Sequence, residues 1–93
     1  MPLKTAEACV RALELARDVA SVGNENVVSD AGVAAWLARS GAEGGALNVR
    51  INIKDLPVEE RAELESWVQR ALARAAELHQ ACLEQVRRRT PAE

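Results

Sequence analysis

One row of small apolar residues runs through the middle of the chain and restricts its fold more than any other feature. Ala31, Ala35, Ala38, Ala42, Ala46, Val49, Ile53 and Leu56 advance in steps of three and four, which sets them along one face of a helix. The same segment carries a competing pattern. Leu47, Val49, Ile51 and Ile53 alternate with Asn48, Arg50 and Asn52, as in a half-buried strand. A lone strand needs partners, and no second candidate is present. The segment is therefore read as a helix over about 29–55, with an interruption near 41–45 where Gly41, Gly44 and Gly45 gather. Each glycine costs a helix roughly 1 kcal/mol against alanine. Ser29 stands where an N-cap belongs, and Asp30 beside the positive end of the helix dipole.

Two further helices flank it. The first is expected over about 5–22, with Thr5 as N-cap, a stripe of Ala6, Cys9 or Val10, Leu13, Ala16 and Ala20, and Gly23 as its stop. Asn24-Glu25-Asn26 reads as the connecting turn. The third is expected over about 57–89, entered through Asp55 and Pro57. Its seam of Leu64, Val68, Ala71, Ala75, Leu78 and Cys82 repeats like a heptad. At ~1.5 Å per residue that helix approaches ~50 Å, long for a 93-residue chain. The expectation is all-α: one domain over 1–93, an antiparallel bundle of three principal helices. Much of the 48% hydrophobic content is alanine, and Phe and Tyr are absent, so Trp36, Trp67 and the Leu, Val and Ile residues are expected to supply bulk. Such a thin core would be marginal alone, and the bundle is expected to be completed by oligomerisation.

Charge and composition exclude several classes. A net charge of −2 gives no general attraction to nucleic acid, and Arg87-Arg88-Arg89 reads as a solvated helix end. No apolar run approaches the ~20 residues that span a bilayer, and MPLKTAEAC lacks a signal-peptide core. A cytoplasmic protein is expected, without nucleic acid or membrane partners. Cys9 and Cys82 read as small buried hydrophobes. His79 and Cys82 share a helix face, but no second ligand pair accompanies them, so no metal is expected.

The chemistry concentrates between Gly23 and Leu56. On a continuous helix, Gly41, Gly45, Asn48, Asn52 and Asp55 stand in file, a groove against which a flat heterocycle could lie while the amides read its hydrogen-bonding edge. Ser29 and Asp30 at a helix N-terminus would favour an anion. The structural alternatives are plain: Ser29 as a cap, Asp30 as a dipole complement, the glycines as packing positions, Asn24 and Asn26 as turn residues. Asn48 and Asn52 divide evenly between inter-helix hydrogen bonds and ligand contacts.

Gly23-Asn24-Glu25-Asn26, then Ser29-Asp30, then Val33-Ala34-Ala35, then Asn48-Val49-Arg50-Ile51-Asn52 resembles the later half of the cyclodeaminase/cyclohydrolase domain of formiminotransferase-cyclodeaminase. The resemblance implies a helical, dimer-forming enzyme. Its substrate would be a tetrahydrofolate derivative, either formimino-tetrahydrofolate losing ammonia or methenyl-tetrahydrofolate opened by water. Asp30 would be the catalytic acid or base, and Asn24, Asn26, Ser29, Asn48 and Asn52 would bind substrate. Arg39, Arg50 or Lys54 would meet the folate glutamate. The glycine-rich Pro-Gly-Gly-Gly-Ser-type loop of the family's first half has no counterpart here. The chain would then act as a homo-oligomer or with a protein supplying that half. The alternative is a non-enzymatic helical interaction module that kept the fold without the chemistry.

Overall fold

The computed structural model describes residues 2–22 and 25–89, with the side chains of residues 2, 3, 25 and 26 excepted. Three helices follow one another: α1 (Pro2–Val22), α2 (Glu25–Ile53) and α3 (Val58–Arg89). No strand occurs among the described residues, so the period of the alanine row prevails over the alternation at Leu47–Ile53. The row faces inward as its spacing requires. Ala31, Ala35, Ala38, Ala42, Ala46, Val49 and Ile53 are all buried.

Cross-helix contacts fix the directions. Glu14 of α1 meets Arg74 of α3 and Arg89 reaches the Ala20 carbonyl, so α1 and α3 run parallel. Arg50 pairs with Glu65 and Arg39 with His79, so α2 runs antiparallel to α3. The result is an up-down-up bundle measuring 53 × 20 × 17 Å, with a radius of gyration of 15.3 Å. A globular chain of this length would have a radius near 12 Å. The long third helix thus stretches the whole molecule.

The core has two parts. Leu13, Ala16 and Ala20 of α1 pack with the α2 alanines and with Ala75, Leu78 and Cys82 of α3. Beyond the start of α1, Ala46, Val49 and Ile53 pack on Val68, flanked by Leu56, Leu64, Trp67 and Leu72. Alanine dominates the first part, so the helices approach closely there and bury little area per residue. Of the two tryptophans, Trp67 joins the core. Trp36 stays 56% exposed, contrary to the bulk expected of it.

Element boundaries differ from the sequence reading at both starts. α1 begins at Pro2 rather than Thr5, proline being well suited to a first helical position. α2 begins at Glu25, so Ser29 lies a turn inside it and is not its N-cap. Val28 supplies the reason: its side chain is fully buried, and that burial draws another turn into the helix. Gly23, expected to end α1, lies outside the described residues. The interruption near 41–45 does not occur, because α2 is helical throughout.

A short turn joins α2 to α3. The Leu56 amide donates to the Ile53 carbonyl at 3.0 Å, and the Arg61 amide to the Pro57 carbonyl at 3.0 Å. The Arg61 guanidinium also donates to the Lys54 carbonyl at 3.1 Å. Asp55 falls in this turn, beyond the end of α2, so it does not continue the file of Asn48 and Asn52.

Candidate functional site

The glycine end of the expected groove is already filled. A Cβ placed on Gly41 would stand 2.5 Å from Cys9 Sγ, so the space beside Gly41 holds the α1 side chain and not a ligand. Gly45 is buried. Gly44 differs, since a Cβ there would meet nothing within 4 Å.

Asn48 and Asn52 are exposed. Antiparallel packing sets Gly41 against Cys9, which places Asn48 level with the first residues of α1 and Asn52 beyond it. Their neighbours Val49 and Ile53 are buried, so the amides flank the core without entering it. Ser29 and Asp30 are exposed near the other end of α2. Eighteen residues make five turns, so Asp30 and Asn48 share a face, but roughly 27 Å of helix separates them. Because α2 is unbroken, one chain cannot bring Asp30 and these asparagines to a common atom. Asn24 lies outside the described residues, as does the side chain of Asn26.

The cations named for a folate glutamate are partly engaged. Arg50 holds Glu65 through Nη2 at 2.9 Å and through Nε at 3.0 and 3.2 Å. Arg39 Nη1 donates to His79 Nδ1 at 3.0 Å. Lys54 is exposed. Open grooves run between α1 and α3, lined by Glu7, Leu64, Trp67 and Arg70, and beside Arg50, Lys54 and Arg61. Neither is lined by Ser29, Asp30, Asn48 or Asn52.

Sequence reasoning missed the surroundings of His79. This side chain is only 2% exposed, and its ring meets Trp36 edge-on with centroids 4.1 Å apart. Burial, and then the Arg39 charge, push its imidazole below the ordinary value. A neutral ring that accepts from Arg39 at Nδ1 carries its proton on Nε2, and Nε2 is buried without a partner. Cys82, three residues along, instead donates to the Ala31 carbonyl at 3.7 Å, and burial pushes its thiol up. The two side chains thus serve different contacts. No cluster of three or more metal-ligating side chains occurs among the described residues. Trp36 and Arg39 stand three apart in the sequence, but only the α2–α3 register shows that they enclose His79.

No described helix is long and apolar enough to cross a membrane. No solved structure matches the chain. Over 56 residues it is 46% identical to a methenyltetrahydrofolate cyclohydrolase from Methylorubrum extorquens, a stretch covering 60% of this chain and 27% of that protein. The chain thus spans little more than a quarter of that relative. The family model described as formiminotransferase-cyclodeaminase matches residues 1–71, and with that span covered the chain belongs to the formiminotransferase-cyclodeaminase family.

Proposed function

We propose that the chain is a folate-dependent one-carbon enzyme unit of the cyclohydrolase or cyclodeaminase type, working in the cytosol on a tetrahydrofolate derivative. The observation that carries the reading is the position of Asn48 and Asn52. They sit in the family-matched span, and both are exposed rather than packed between this chain's own helices. Asn24, Asn26 and Ser29 would contact substrate near the start of α2. Asp30 is the acid or base. For hydrolysis of a methenyl group, its carboxylate takes a proton from the water that attacks the carbon between two folate nitrogens. It then returns that proton to the nitrogen whose bond to carbon breaks, while the remaining hydroxyl proton leaves to solvent as the formyl C=O forms.

In this reading the site is completed either by another copy of the chain or by a protein carrying the glycine-rich first half, since one α2 holds Asp30 and Asn48 ~27 Å apart. That same distance also favours a second reading, a helical interaction module without catalysis. The discriminating experiment is Asn48→Ala with Asn52→Ala, assayed by titration with methenyl-tetrahydrofolate and by mass in solution. The site reading expects affinity to fall at least about tenfold with helicity and mass unchanged. Unchanged affinity, or loss of the assembly, would overturn it in favour of packing.

A further inference from the structure

The seam between α1 and α3 carries its charges in two blocks of opposite sign. Two open grooves, of about 420 and 290 Å³, both touch Glu7, Trp67 and Arg70 and so adjoin along this seam. At one end stand three carboxylates, Glu7 of α1 with Glu60 and Glu63 of α3. At the other stand two guanidinium groups, Arg70 and Arg74. Trp67 lies between the blocks and lines both grooves, with Leu64 in the first and Val10 in the second. The fourteen residues from Glu60 to Arg74 span ~21 Å of helix.

Packing does not ask for this arrangement. Glu60 complements the dipole at the start of α3, but Glu63 lies past the first turn and Glu7 belongs to another helix. Arg70 and Arg74 are four residues apart on one helix, where like charges repel. Their present partners hold them weakly. Arg70 donates to the uncharged Ser66 Oγ at 2.7 Å. Arg74 stands 3.9 Å from Glu14 and 3.7 Å from Glu77, at the outer limit of an ion pair, where little is gained. A ligand carboxylate can therefore engage both cations through charge-assisted hydrogen bonds while giving up little.

The order of the blocks specifies the ligand. It is an elongated ampholyte with N–H donors for Glu7, Glu60 and Glu63 at one end, an aromatic ring for Trp67 in the middle, and a carboxylate for Arg70 and Arg74 at the other. The space available is that of a small-molecule site. A reduced folate is built in this order, as an aminopyrimidinone, an aminobenzoyl ring and a glutamate. We propose that the α1–α3 groove is a second folate seat, with the pterin at the acidic end and the glutamate at Arg70 and Arg74. The ligand's identity rests on the proposed function, whereas the place of binding does not. None of Ser29, Asp30, Asn48 or Asn52 lines this groove, so the seat holds the ligand without reacting it.

The chain has two tryptophans, so Trp36→Phe leaves Trp67 as the only indole reporter. Methenyl-tetrahydrofolate is titrated into this protein by fluorescence and by calorimetry, alone, with Arg70→Gln plus Arg74→Gln, and with Asn48→Ala plus Asn52→Ala. Saturable quenching of Trp67 is expected. The arginine pair should weaken it at least about tenfold, and the asparagine pair should leave it unchanged, with the same helicity in all three proteins. p-Aminobenzoyl-glutamate, which lacks the pterin, should lose affinity with the arginines and keep it in Glu7→Gln, as the order of the blocks requires. The proposal is overturned by heat of binding without a Trp67 response, by a Trp67 response indifferent to R70Q and R74Q, or by its loss in the asparagine variant. Heat without a Trp67 response leaves the folate reading standing, whereas no heat from any of the proteins removes both, so the two failures are distinguishable.

Discussion

Replacing Gly41 by alanine asks directly whether this glycine receives a helix or a ligand. Alanine should favour α2 by about 1 kcal/mol, because it loses less backbone freedom on entering a helix. The new methyl group would stand 2.5 Å from Cys9 Sγ, well inside contact distance. The thiol must swing away or the helices must part, and overfilling of this kind typically costs about 1–3 kcal/mol. Gly41→Ala alone should therefore leave stability unchanged or lower it by up to ~2 kcal/mol. Cys9→Ala removes the obstructing sulfur. The next Cys9 atom, Cβ, lies at 3.9 Å, an ordinary contact, so Gly41→Ala in that background should stabilise by about 1 kcal/mol. The two sites are thus coupled by roughly 1–3 kcal/mol. Urea denaturation of the four proteins, followed by helical circular dichroism at one fixed protein concentration, measures the cycle. Equal effects of G41A in both backgrounds would refute the packing role and reopen the slot to a ligand.

Other substitutions probe the remainder of the structure. Leu78 is buried in the main core, and Leu78→Ala should cost about 2–5 kcal/mol in the same assay; a loss below ~1 kcal/mol would contradict that packing. Arg50→Ala breaks a partly exposed pair with Glu65 and should cost no more than about 1 kcal/mol, with the deficit shrinking in high salt. His79 is held below its ordinary pKa by burial and then by Arg39, so the unfolded chain binds its proton more readily than the native one. Stability from this residue is complete above the unfolded value, about pH 6.5, and declines as pH falls from there toward the folded value. His79→Gln keeps an acceptor for Arg39 and should remove that decline; a slope retained in the variant would assign it to another group.

The inward face of α2 was legible because one residue type, alanine, recurs at helical spacing from Ala31 to Ala46 and admits only one consistent burial. The continuity of the helix through Gly41–Gly45 was not, since local propensity counts each glycine as a cost. The contact that offsets this cost, Cys9 against Gly41, joins residues 32 positions apart. The early start of α2 was hidden for a similar reason, because Asn24 and Asn26 suggest a turn locally while the burial of Val28 is a tertiary fact. Residue type also misled at Trp36, a large apolar ring that lies against His79 yet stays largely in solvent. The candidate site residues were identifiable as types, but their separation depends on whether α2 breaks. A break would have let Asp30 and Asn48 converge within one chain; the unbroken helix holds them ~27 Å apart.

The claim on which the account turns is that this helical unit binds a reduced folate. Titration of the purified protein with methenyl-tetrahydrofolate, following the fluorescence of Trp36 and Trp67 and recording mass in solution, tests it most directly. The account predicts saturable binding in the micromolar range, about −8 kcal/mol, by an assembled form. A stable assembly showing no saturation at millimolar folate would contradict it.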